Sequence, residues 1–296
     1  TRKTAAQRLD GRPWPAYDCS CLAGKVVLPS ARDARSRWCQ IQRMIIESMR
    51  ILDNPHDPLP VEATFDRFIE LVGGARVGSI VGQTPAFANA DYVFTEKQFV
   101  LELKELTTDW PLLEDYQQKI NDLWLKCAND GRVTARHLAG DLQLPRDVRR
   151  DFLQLLRKPI KRILEKANRQ IRDTHENLRH QSGEGILLLV IDGLRSVAPQ
   201  FLMALVAKIL LHDYSSITGI VLITVNEYID VPDDDFARLI WTPSYQERAS
   251  DNLVDFVDDI GRKWFDFIER EIGGFDDRIE GPNKGWLEGA NFVRRE

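Results

Sequence analysis

Long hydrophobic runs, cysteines and an excess of basic charge are all scarce in this 296-residue chain. No stretch of about 18 or more apolar residues occurs, the length at which a segment reads as membrane-spanning. The longest apolar segments, 185–191 and 217–225, are strand-length and are followed by turn or polar residues, so they read as buried strands. The basic N-terminal sequence has no apolar stretch behind it and does not match a secretory signal. Four cysteines are too few for a disulfide scaffold, and a reducing, cytoplasmic setting is the expectation. Cys19, Cys21 and Cys39 form no CxxC pair and have no fourth ligand nearby, which speaks against zinc. A net charge of −5 gives no general attraction to nucleic acid. Any such binding must come from a local basic surface.

Composition is otherwise that of a globular protein, with 43% hydrophobic and 29% charged residues. Residues 1–30 are rich in turn formers and read as an irregular arm. Trp38, Ile41, Ile45, Met49 and Leu52 then recur at helical spacing, and the prolines at 55, 58 and 60 stop that helix. A second helix is expected over 61–72, ending at Gly73-Gly74. Three extended runs follow, about 75–81, 91–95 and 98–106, the last two joined as a hairpin by four polar residues. The stretch from 107 to about 180 reads as mostly helical, with Pro159 marking the first turn of a long helix. Strand 185–191, helix 197–212, strand 217–225 and an amphipathic helix over 249–271 complete the order. No internal repeat or low-complexity segment is visible.

That order predicts an α/β protein with a mixed sheet flanked by helices. The expected division is an arm and helix over 1–60, a core over 61–245 with a helical insertion at about 107–155, and a helical C-terminal segment over 246–296.

Chemistry concentrates in the hairpin. Asp91 leads its first strand, and the second strand carries Glu102 and Lys104 two residues apart, which puts both on one face. Phe99, Val100, Leu101, Leu103 and Leu106 surround them. Charges set into so apolar a strand call for a reason, because charged groups are seldom buried without partners. The plainest alternative is a surface hairpin whose Glu102 and Lys104 merely pair along the strand, at little energetic gain.

An acid leading one strand and an acid-x-lysine triplet on its hairpin partner resemble the PD-(D/E)XK nuclease superfamily, the restriction-endonuclease-like enzymes. The resemblance runs over roughly 61–225 as an element order, with the hairpin as its only motif. Ala90 stands where the motif's proline would be. The resemblance implies a restriction-endonuclease-like fold and Mg²⁺- or Mn²⁺-dependent hydrolysis of DNA, in defence or repair. Asp91 and Glu102 are the implied metal ligands, the Leu103 carbonyl a third, and Lys104 the group that orients or deprotonates the attacking water. It further implies a carboxylate from the preceding helix, for which Glu70 fits best and Glu47 second, and a polar contribution from Lys166 and Gln170. Hard divalent cations prefer oxygen ligands and retain waters that become nucleophiles.

Between Arg146 and Asp173 ten basic residues face four acidic ones, a net +6. Lys161, Arg162, Lys166 and Arg169, with Gln170, are the expected phosphate-backbone contacts, and a merely solvated helix face is the alternative. Asp192 follows an apolar strand as in nucleotide hydrolases, but no GxxxxGK sequence exists, so it reads as a cap or turn residue. The histidines at 56, 137, 175, 180 and 212 form no HExxH or HxH pattern and read as surface or cap residues. Asp233, Asp234 and Asp235 open an acidic region, and the C-terminal helix offers a wide apolar face to a protein partner. Two rival readings stay open: a catalytically inactive DNA-binding or assembly subunit, and an RNA-cleaving nuclease. A homodimer is also open.

Overall fold

The computed structural model describes residues 51–52, 56–82, 85–138, 142–180, 183–232, 234, 237–275, 277–281 and 287–295. The expected arm over 1–30, the expected helix from 31 as far as residue 50, the zinc candidates Cys19, Cys21 and Cys39, and Glu47, Asp233 and Asp235 lie outside the described residues; Leu52, where that helix is expected to end, lies in a short strand instead. Among those described, the chain divides into two compact units, one from Ile51–Thr108 with Ile160–Glu296, the other from Asp109–Pro159.

The first unit holds β1 (Ile51–Leu52), α1 (Val61–Leu71), β2 (Ala75–Arg76), α2 (Val77–Val81), β3 (Tyr92–Phe94) and β4 (Phe99–Leu106). In the second unit are α3 (Glu114–Asn129), α4 (Ala135–Leu138) and the opening turns of α5 (Arg146–Leu178). Then follow, in the first unit, β5 (Gly185–Ile191), α6 (Pro199–Asp213), β6 (Ile217–Thr224), β7 (Tyr228–Asp230), β8 (Trp241–Tyr245), α7 (Asp251–Ile272) and β9 (Asn291–Arg295). The described part of the second unit, 109–159, is mostly helical.

Six strands form one mixed sheet in the order β2-β3-β4-β5-β6-β8. β2, β3 and β4 are antiparallel neighbours, β4, β5 and β6 run parallel, and β8 closes the edge antiparallel to β6. Pro243 sits in β8, where an edge strand tolerates its missing donor. β1, β9 and β7 make a separate small sheet that the hydrophobic pattern does not announce.

Period-two alternation sorts the strands into two faces. Tyr92, Leu101, Leu188 and Val221 pack with Phe65 and Phe68 of α1 and with Leu253, Phe256, Ile260 and Trp264 of α7. Trp264 is fully buried and stacks on Phe65 at 4.5 Å between ring centroids. α7 is capped by Ser250, whose hydroxyl accepts from the Leu253 amide, so its start is locally encoded. Its apolar face is consumed by this core. The protein partner expected on that face is therefore displaced by the chain's own sheet and α1.

On the opposite face Val100, Leu187, Leu189 and Leu222 are buried, as are Ile160, Leu164, Ala167 and Ile171 of α5. Ile171 lies so close to Gly185 that an added Cβ would sit 2.2 Å from its methyl. Two local expectations differ from the structure. Extended structure at 75–81 is limited to Ala75–Arg76, because the chain turns into α2 directly afterwards. Pro159 lies inside α5, which starts at Arg146; proline removes one N–H donor from a 33-residue helix that has many others.

Candidate active site

The β3–β4 register pairs Tyr92 with Leu101 and Val93 with Val100. Continued by one residue, it sets Asp91 opposite Glu102, on the face that carries Val100 and Leu106. The site is closed from within the hairpin. The Leu103 amide donates to Asp91 Oδ2 at 2.8 Å, and Lys104 Nζ donates to Glu102 Oε1 and, at 3.2 Å, to the Leu103 carbonyl. Asp91, Glu102, Leu103 and Lys104 are thus brought together, within one unit of the fold.

The electrostatics are unfavourable to two charges here. Glu102 has 0% exposure, and its Oε2 meets no N–H donor; the facing Asp91 carboxyl is its hydrogen-bond neighbour when one of the two is protonated. Burial, and then the facing Asp91, push its carboxyl up to about 8, although Lys104 opposes them. Asp91 is also raised, mainly by burial, with the Leu103 amide and Lys104 acting against it. The two carboxyls therefore titrate as a coupled pair, both raised above the ordinary carboxylate range.

These residues fit a hard divalent cation. Two facing carboxyls and a strand carbonyl are oxygen donors of the kind such an ion takes, and Lys104 already sets a positive charge beside Glu102 and the Leu103 carbonyl. Among the described residues no group of three or more His, Cys, Asp or Glu side chains gathers around a common point. A cation at Asp91 and Glu102 would accordingly complete its shell with the Leu103 carbonyl and water.

Glu70 is not part of this arrangement: it is exposed near the end of α1, whereas Glu62, in the first turn, acts electrostatically on Asp91. The start of α1 is held by Asn226, which exchanges two hydrogen bonds with Leu59, so the first turn and not the last stands at the carboxyl ends of the parallel strands. An acid in a first helical turn was the available signal. Glu62 also lines an open cavity of about 630 Å³ with Asp66, Arg76, Glu105, Asp192 and Asn226. There burial and a hydrogen bond shared with Asp192 push the Glu105 carboxyl up to about 6, so Asp192 does more than terminate β5.

α5 supports the site through residues that pattern alone does not reveal. Gln170 Nε2 donates to the Asn89 carbonyl at 2.9 Å, and Thr174 Oγ1 accepts from the Ala90 amide at 2.8 Å. Gln170 is thereby committed to the approach to Asp91 and is not a free phosphate contact. Arg162, Lys166 and Arg169 are exposed, on the side of α5 opposite its buried residues, and Lys161 pairs with Glu165 at 3.6 Å.

No family model, curated protein or solved structure matches the chain. Its chemistry must be argued from its own residues. Among the described residues no helix is long and apolar enough to cross a membrane.

Proposed function

We propose that the chain is a divalent-cation-dependent nuclease that hydrolyses DNA phosphodiester bonds by direct attack of water, on a restriction-endonuclease-like core. The observation that carries this reading is Asp91 facing a fully buried Glu102, two carboxyls close enough to share a hydrogen bond. Two such facing acids are stable only with a proton or a cation between them, and a surface hairpin has no need of either. The mixed sheet and the order α1, hairpin, β5, α6, β6 support the same reading.

When bound, a Mg²⁺ or Mn²⁺ ion supplies an acidified water and stabilises negative charge on the phosphate. The chain's own residues do the rest. Asp91 and Glu102 hold the ion, with Asp91 oriented by the Leu103 amide. Glu102, protonated near neutral pH, would have to release its proton to solvent in order to serve as a ligand. Lys104, beside both Glu102 and the Leu103 carbonyl, brings a positive charge to the point where the attacked phosphate gains negative charge. Gln170 and Thr174 fix the segment that delivers Asp91.

Plasmid and oligonucleotide cleavage with Mg²⁺, Mn²⁺ or EDTA tests the assignment. Wild type should cut only with metal, and Asp91→Ala and Lys104→Met should both be strongly impaired. Cutting that persists in both variants removes these residues from the reaction. Cleavage confined to RNA would replace the substrate but keep the site, and no cleavage of any nucleic acid would favour an assembly or binding subunit.

A further inference from the structure

Two histidines expected at the surface meet instead at the end of α5. Arg179 adopts a left-handed conformation with φ of 55°, turning the chain so that the His180 amide donates to the His175 carbonyl at 3.0 Å. The two rings then stand edge to face, with centroids 5.4 Å apart and planes inclined by 63°. His175 is 6% exposed, and the Glu184 backbone can partner one of its ring nitrogens, leaving the other buried without a partner. His180 is half-buried, and its Nδ1 is buried without a partner as well.

A neutral imidazole carries one N–H donor and one lone pair, and leaving such a group buried and unsatisfied is costly. The Glu184 backbone can partner one nitrogen of His175, so its other nitrogen and His180 Nδ1, on two touching rings, are left for something that binds nitrogen. Burial, and then the neighbouring His180, push the His175 ring down to about 4, against the Glu184 hydrogen bond. Burial lowers His180 too. Neutral imidazole suits zinc, nickel and cobalt, whereas the oxygen donors of Asp91 and Glu102 suit harder ions.

We propose that His175 and His180 bind one first-row transition-metal ion of the zinc or cobalt type, which staples the last turn of α5 to the residue just beyond its end. Among the described residues no third His, Cys, Asp or Glu joins them, so water completes the shell. The staple adjoins Thr174, whose hydroxyl holds Ala90 in place before Asp91. It stands independently of the nuclease reading.

Metal-stripped full-length protein is titrated with Zn²⁺ by calorimetry and with Co²⁺ by visible absorption, as wild type, His180→Gln, His175→Gln and Asp91→Asn. Imidazole ¹⁵N resonances of wild type are followed in parallel. Asp91→Asn should bind one equivalent, and wild type should bind that equivalent beside any held by the carboxylates, shifting the resonances of both rings. Affinity should weaken at least about tenfold in His180→Gln, the less buried and safer substitution. Binding equal in wild type and both histidine variants overturns the proposal, as does a wild type that binds neither ion. Loss of binding in Asp91→Asn alone would place the ion at the carboxylates instead, and unmoved His175 and His180 resonances would overturn the proposal even if the variants misfold.

Discussion

The Leu103 amide donates to the Asp91 carboxylate at 2.8 Å, so a side chain takes over the hairpin's ladder just where the β3 backbone leaves it. Asparagine retains an acceptor oxygen there and alanine does not. Asp91→Asn should fold with close to wild-type stability, while Asp91→Ala should lose roughly 1 kcal/mol. Both should lose the stabilisation that Mg²⁺ gives wild type, which linkage puts at about 2.7 kcal/mol at a hundredfold excess over Kd. Chemical denaturation with and without Mg²⁺ measures both effects. Equal Mg²⁺ stabilisation of wild type and Asp91→Asn would remove Asp91 from the ion site.

Glu102 makes stability depend on pH in a defined direction. Its folded-state carboxyl, raised to about 8 from an ordinary 4.5, holds its proton longer than in the unfolded chain. The metal-free protein should therefore be most favoured by this group below about 4.5 and lose that advantage as pH rises through 8, at up to about 1.4 kcal/mol per pH unit. His175, lowered to about 4, acts in the opposite sense below its ordinary 6.5, so the window from 6.5 to 8 isolates the acid. Glu102→Gln should flatten the slope there. Calorimetry in buffers of different ionisation heat should also detect a proton released on Mg²⁺ binding near neutral pH by wild type but not by this variant. A wild-type slope equal to that of Glu102→Gln would mean that Glu102 is already ionised.

The hairpin was readable because its signal is local: strand periodicity places Glu102 and Lys104 together, and four polar residues fix the turn. α7 was readable for the same reason, through helical spacing and Ser250. Glu62 was not, because choosing it over Glu70 requires knowing which end of α1 abuts the sheet. That is decided by Asn226, more than 150 residues away in sequence. Gln170 and Thr174 contact Asn89 and Ala90 across a similar kind of gap. The short strands β1, β7 and β9 carry no periodic signal at two to five residues each. Their pairing is a tertiary event.

Thr174 offers a test of support at a distance from the chemistry. Its hydroxyl is fully buried and is the acceptor for the Ala90 amide. Thr174→Val keeps the shape and leaves a buried donor unsatisfied, costing about 1–3 kcal/mol. Thr174→Ser restores the acceptor and should recover most of the loss. If the hydroxyl positions Asp91, Mg²⁺ affinity should fall in the valine variant and return in the serine variant. Stability that falls while Mg²⁺ affinity stays constant would confine Thr174 to a packing role.

The basic surface of α5 allows the proposed nucleic-acid contact to be tested. Arg162, Lys166 and Arg169 recur at spacings of four and three, so they share one exposed helix face. Lys161, already paired with Glu165, has less charge to offer. A chain with net charge −5 repels polyanions as a whole, so binding through this face must show the signature of counterion release. For duplex DNA the logarithmic salt slope should fall by about 0.9 for each phosphate contact removed. Changing Arg162, Lys166 and Arg169 together to glutamine should thus lower the slope by between about two and three, whereas Lys161→Gln alone should lower it by less than one contact's worth. Lys166 lies one turn before Gln170, which holds the approach to Asp91. Among the three single variants, Lys166→Gln should therefore cost the most cleavage for a given loss of binding. Filter binding across a salt series, beside cleavage at matched saturation, separates these effects. A slope unchanged in the triple variant would place the phosphate backbone elsewhere on the molecule and leave this face of α5 as a solvated helix surface.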